Sequence, residues 1–138
     1  MSQPAKMIFV NLPVANLPRA KAFYEATGFR NDPRFTDETA ACMVLSDTIH
    51  VMLLTHDKYK QFTSKQIADT HKTSAALLAL SETSRADVEA TLAKALKAGA
   101  KEPRPANDYG FMFQRSFEDL DGHTWEPFWM DPAHVQKG

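Results

Sequence analysis

Five histidines and one cysteine are where chemistry would begin, and their spacing offers little. His50, His56, His71, His123 and His134 are scattered, with no pair at H-x-x-x-H or H-x-H spacing. Cys42 stands alone, so there is no C-x-x-C motif and no internal disulfide. Asp119-Leu-Asp-Gly122 is a fragment of a calcium loop without its remaining ligands. A G-x-S-x-G elbow, a P-loop and a G-x-G-x-x-G turn are all missing. Each of these groups is most simply read as a solvated or core-satisfied side chain. What remains is Glu126, inside the apolar run His123-Thr-Trp-Glu-Pro-Phe-Trp-Met130. A carboxylate among such neighbours can serve as an acid or a base.

The turn before that run sets its neighbours. Asp119-Leu-Asp-Gly-His123 suits a three-residue hairpin loop, a type I turn followed by Gly122 in the left-handed region. This register places Glu126 opposite Ser116, Phe128 opposite Gln114 and Met130 opposite Met112. The alternate set, Phe113, Arg115, Phe117, Trp125 and Trp129, then lies on the other face, where its bulk suits burial under helices. Arg115 would have to snorkel there or find a partner. A four-residue loop would instead bring Arg115 opposite Glu126 as a salt bridge. Pro127 marks an edge or a bulge.

Holding such residues requires a scaffold, and the chain repeats one. Met7–Val14 reads as a strand, and Asn16 then caps a helix with Pro18 in its first turn. Leu17, Ala20, Phe23, Tyr24 and Thr27 share one side of it, and Gly28 stops it. Strand-like runs follow at 41–45 and 49–55, with a weaker one near 29–35. Residues 57–74 are polar and long for a connection, and read as a linker or flap holding one helical turn near 58–62. The pattern then returns: a strand at 75–80, a helix capped by Ser84 with the stripe Val88, Leu92 and Leu96, a stop at Gly99, a Pro-rich loop, and strands at 111–118 and 123–130. The expected class is α+β, with module 1 at about 6–56 and module 2 at about 75–131 of a single domain.

Composition bounds the function. The 138 residues amount to one domain, 43% hydrophobic and 24% charged, both ordinary for a globular chain. Sixteen basic against 17 acidic residues give no basic footprint for nucleic acid. No apolar run is long enough for a membrane span, and Met-Ser-Gln-Pro-Ala-Lys has no signal pattern. A cytoplasmic protein is expected.

The run Phe9-Val-Asn-Leu-Pro-Val-Ala-Asn-Leu-Pro-Arg-Ala-Lys-Ala-Phe-Tyr-Glu-Ala-Thr-Gly-Phe29 resembles the opening of the vicinal oxygen chelate superfamily. Phe117-Glu-Asp-Leu-Asp-Gly-His-Thr-Trp-Glu126 resembles its closing hairpin. That group includes glyoxalase I, extradiol dioxygenases, fosfomycin-inactivating enzymes and bleomycin-resistance proteins. Within it the chain is most similar to proteins labelled predicted lactoylglutathione lyase. The resemblance implies two tandem βαβββ modules forming one curved mixed sheet, with a concave cleft and helices on the convex face. It implies metal-ligand positions at Phe9, Leu53, Leu77 and Glu126, of which only the last carries a donor. No metal and no cofactor are therefore expected. A one-residue slip in the fourth strand would offer Met52, with His50 nearby, and still no triad. A homodimer is implied as well.

By strand parity the cleft would be lined by Phe9, Asn11, Leu53, Thr55, Leu77, Met112, Gln114, Ser116, Phe128 and Glu126. Tyr59, Phe62, Arg104 and Tyr109 sit on loops able to cover it. An apolar lining with a few polar groups is the usual make-up of a small-molecule pocket, although the same residues could simply fill a core. The leading expectation is metal-independent binding of a small amphipathic or aromatic molecule. The alternative is a glyoxalase-like lyase or isomerase using Glu126 as acid or base. A regulatory module without a ligand is the third reading.

Overall fold

The computed structural model describes residues 3–135, which divide into two compact units with the boundary between Ala68 and Asp69. Each unit is a βαβββ module. In module 1 the elements are β1 (Ile8–Val14), α1 (Leu17–Ala26), β2 (Arg30–Asp32), β3 (Ala40–Val44), β4 (Ile49–Thr55) and the single turn α2 (His56–Tyr59). In module 2 they are β5 (Leu77–Ser81), α3 (Arg85–Lys97), β6 (Asn107–Asp108), β7 (Met112–Gln114), β8 (Phe117–Glu118), β9 (Thr124–Met130) and α4 (Pro132–Val135). The expected α+β class is met. The strands do not join in one hydrogen-bonded sheet, however; each module closes its own. The orders are β1-β4-β3-β2, and β5-β9-β7-β6 with β8 also on β9. In both, the first strand runs parallel to the last.

Local chemistry explains the elements. Asn16 caps α1 by accepting the Arg19 N–H at 3.0 Å, and Pro18 occupies the first turn, where no amide bond is lost. Ser84 caps α3 in the same way, accepting from Asp87 N–H. Leu17, Ala20, Phe23 and Tyr24 of α1 are buried, as are Val88, Leu92 and Ala95 of α3. Leu96, expected in that stripe, is 40% exposed, because Ala95 takes the inward position. The weak strand near 29–35 is split: β2 gives way to a 3-10 turn over Pro33–Phe35, capped by Asp32.

The run 111–118 is likewise two short strands. Arg115 N–H still donates to Pro127 O at 3.1 Å, but proline has no N–H to return, and the ladder breaks there. The register on the two sides agrees: Gln114 lies opposite Phe128, and Phe117 opposite Trp125. Gly122 takes φ +87° in the turn, and Asp119 Oδ1 accepts from Asp121 and His123 N–H, both at 2.9 Å. The acidic turn is a backbone clamp.

Candidate ligand-binding site

The register of the parallel pair in module 1 decides which side chains share a face. Phe9 lies level with His50, Asn11 with Met52 and Pro13 with Leu54. The Phe9 and His50 rings confirm this by stacking, 4.3 Å apart and 17° from parallel. Leu12, Val14, Val51 and Leu53 occupy the opposite face and are buried. Leu53, expected in the cleft, is therefore a core residue, fully covered. Thr55 also leaves the predicted lining, since its hydroxyl caps α2 by accepting Lys58 N–H at 3.2 Å. The physical reason lies in the strand itself. Ile-His-Val-Met-Leu-Leu-Thr55 is central, apolar on both faces, and carries no period-two signal to fix its phase.

The same cap builds a pocket. α2 starts directly from β4 and packs on both β4 and β1. Phe62 N–H then bonds back to Tyr59 O at 3.0 Å, so the chain curls and returns two aromatic side chains to the strand face. Asn11, Leu54, Tyr59, Phe62 and Thr63 line a half-open pocket of about 330 Å³. Leu54 is buried and Phe62 is 70% exposed, so the space runs from the strand face to solvent. Asn11 spends one amide hydrogen on Phe9 O at 3.3 Å, and its carbonyl oxygen accepts nothing from the described residues. Thr63 accepts from Lys65 N–H at 3.1 Å, which leaves its hydroxyl proton to donate. None of the five side chains is a carboxylate, imidazole, thiol or amine. The pocket has apolar walls, an acceptor and hydroxyls; it can hold a molecule but offers no base or nucleophile. Of these residues the sequence reading picked out Asn11, Tyr59 and Phe62. It missed Leu54 and Thr63, the first through the phase of β4, the second because nothing in the polar linker marks it.

Module 2 arranges its predicted residues on one sheet. Ala79 lies beside Glu126, Ser81 beside Phe128, Gln114 across from Phe128 and Met112 across from Met130. The same register puts Ser116 level with Glu126, and Ser116 is buried. Leu77 is 58% exposed. The Glu126 carboxyl accepts no hydrogen bond from the described residues. Arg115 does not approach it. Arg115 sits on the other face, bonded to Glu102 at 2.7 and 2.9 Å and to Glu89 of α3 at 2.5 Å. Those carboxylates and their hydrogen bonds raise its already high pKa against the opposing pull of its partial burial. Arg104 is exposed in the Pro-rich loop; Tyr109 is exposed too, beside Phe111 at 6.3 Å.

Two βαβββ modules follow one another along the chain, the order that the sequence resemblance implied. The chain belongs to the Glyoxalase/Bleomycin resistance protein/Dioxygenase superfamily, whose model matches residues 6–126. No curated protein matches it significantly. Among solved structures it is similar to hypothetical protein SA1046 from S. aureus, at 19% identity and a TM-score of 0.76, covering 93% of this chain and 95% of that one. It is also similar to a glyoxalase/bleomycin resistance protein/dioxygenase family enzyme from Burkholderia phytofirmans PsJN, at 16% identity, TM-score 0.74, and 91% and 99% coverage. A third is the fosfomycin resistance protein FosX from Mesorhizobium loti, at 18% identity, TM-score 0.65, and 99% and 98% coverage. These likenesses establish the fold.

The donor set does not fit a catalytic divalent ion. Phe9 and Leu77 have no donor atom, and β4 presents His50 beside Phe9, with its Nδ1 buried and unpartnered. Taken by itself, neither module offers at these positions the three protein ligands that a catalytic zinc requires. Among the described residues no three His, Cys, Asp or Glu side chains converge. No helix among them is long and apolar enough to cross a membrane.

Proposed function

We propose that this chain binds a small aromatic or amphipathic molecule without a metal ion, and that the pocket under α2 is where it binds. The observation that carries this reading is the half-open pocket of about 330 Å³ lined by Leu54, Tyr59 and Phe62, with the Asn11 carbonyl and Thr63 hydroxyl free to orient a guest. That volume is at the lower end for small-molecule sites. A homodimer accompanies the proposal. It is supported by β1 and β5 ending their sheets as edges that carry exposed apolar side chains, Ile8 at 57% and Leu77 at 58%.

One observation favours a second reading. The Glu126 carboxyl, half-buried beside Phe128, is not engaged by protein hydrogen bonds and is free to take a proton from carbon next to a carbonyl and return it to the neighbouring atom. Such an isomerisation needs support for the developing oxyanion, normally worth roughly 3–4 kcal/mol per well-placed donor. Module 2 offers Gln114 and Ser116 near that strand, and neither is an ion.

Native mass spectrometry of the full chain after incubation with a cell extract tests both readings. The expected spectrum is a dimer carrying a small organic adduct, no stoichiometric divalent metal, and an adduct lost with Tyr59→Ala but kept with Glu126→Gln. Loss with Glu126→Gln and retention with Tyr59→Ala would transfer the site to module 2. One zinc, nickel, iron or manganese per chain would overturn the metal-independent reading.

A further inference from the structure

The segment that closes the pocket is basic. Between His56 and Lys65 there are three lysines, Lys58, Lys60 and Lys65, against a single aspartate, Asp57. Lys58 is the informative one. Its ammonium lies 5.8 Å from the centre of the Phe62 ring, so it stands beside one wall of the pocket. It forms no ion pair with any described residue. The acid that feels its charge is Asp37, whose Oδ1 is already occupied by the Thr39 N–H and hydroxyl, both at 2.7 Å, and by Ala40 N–H at 3.1 Å. The cation is thus held against an aromatic face while its own charge remains unpaired.

Resting on the binding reading above, we infer that the pocket selects an aromatic ring bearing an anionic group, of the aryl-carboxylate class. Leu54, Tyr59 and Phe62 supply the surface for the ring. The Thr63 hydroxyl, and the amide hydrogen Asn11 has left, donate to the carboxylate, while the Lys58 ammonium balances its charge. A neutral ring of the same size keeps the apolar contacts and loses the ionic one. A cationic ring meets Lys58 unfavourably. Because the ammonium is near the surface, the ionic contribution is modest and falls with salt.

The test uses a matched pair of probes, 2-naphthoate and 2-naphthylmethanol, titrated into the full chain and followed by amide shifts of Asn11, Tyr59, Phe62 and Thr63. The acid is expected to bind about three- to tenfold more tightly than the alcohol at low salt, as a partly exposed ion pair allows. Lys58→Gln should remove that preference, bringing the acid's affinity down to that of the alcohol measured in the same variant. Equal affinities in the unaltered protein, with these four amides shifting, would overturn the anion preference while the pocket stands. Failure of either probe to move these amides would overturn the pocket and the inference together. A preference for the acid that survives Lys58→Gln would overturn the role assigned to Lys58.

Discussion

The two modules pack a helix on a sheet with the same strand order, yet they draw the aromatic bulk of that interface from opposite sides. In module 1 it comes from the helix: Phe23 and Tyr24 of α1 lie edge to face at 5.2 Å, both buried, over aliphatic Leu12, Val14, Val51 and Leu53. In module 2 it comes from the sheet. Phe113, Phe117, Trp125 and Trp129 share the face where Arg85 and the Arg115 partner Glu89 of α3 sit, and that helix contributes Val88, Leu92 and Ala95. The aromatic side chains are allocated differently in the two interfaces, as packing allows when total volume matters more than position. The faces away from the helices differ too. In module 1, α2 packs on β1 and β4 and a pocket lies beside it. Module 2 leaves Leu77, Ala79 and Ser81 exposed.

The packing half of this comparison makes the largest prediction. Phe23→Ala removes a whole ring from the helix of module 1 and should cost about 4 kcal/mol, whereas Val88→Ala in module 2 should cost about 2 kcal/mol. Denaturant unfolding of the two variants measures the difference. Equal costs would mean that the helix–sheet interface of module 1 does not depend on the helix for its bulk.

The turns allow a second contrast, of intermediate size. Gly122 and Gly28 both hold positive φ, +87° and +108°. A Cβ at Gly28 would meet nothing within 4 Å, while at Gly122 it would lie 2.6 Å from Thr70 O, 2.7 Å from Thr70 C and 2.8 Å from His71 N. All three are backbone atoms that cannot swing aside. The Thr70 hydroxyl also donates to Asp121 O, tying this stretch to the hairpin. Gly28→Ala should therefore cost about 1 kcal/mol, from the backbone alone, and Gly122→Ala about 3 kcal/mol. Thermal unfolding that ranks them equally would show that the hairpin does not need the close approach.

These pairs also show what could be read from the chain before its structure. The repeat, the caps at Asn16 and Ser84 and the closing hairpin were legible because each is a local signal with one physical solution. The Asp119–His123 loop admits few geometries, and it fixed the register of β9 as far as Met130. The phase of β4 was not legible, since a strand with large apolar side chains on both faces reads the same in either phase; Leu53 and Leu54 exchange roles with no change in pattern. The break at Pro127 was visible as a caution, but its consequence, two short strands, depended on which side of the proline its partner stood. The pocket was half legible: the aromatic side chains of the polar segment were evident, and their return onto β1 required the Thr55 cap.

The smallest predicted effect concerns acid. Asp32 and Asp108 each have a pKa lowered from 3.8 to about 2, in both cases first by the hydrogen bonds of an arginine, Arg34 for Asp32 and Arg85 for Asp108. A carboxyl whose folded value is depressed contributes stability that is fully present above about pH 4 and is lost as pH falls through about 2. The two pairs should not contribute alike. Arg34 is two residues from Asp32 within one turn, and its side chain is 77% exposed, so much of that pairing can persist in the unfolded chain. Arg85 is 23 residues from Asp108, and it also donates to Gly110 O at 3.0 Å and lies over Phe113 and Trp129. Only the folded module assembles that arrangement. Asp108→Asn should therefore flatten the dependence of stability on pH between 4 and 2 more than Asp32→Asn does, and high salt should narrow the gap between the two variants. Unfolding midpoints measured across that window give the comparison directly. A larger flattening from Asp32→Asn would mean that the local pair of module 1 is specific to the folded state, and that the two modules anchor their acidic loops by the same means.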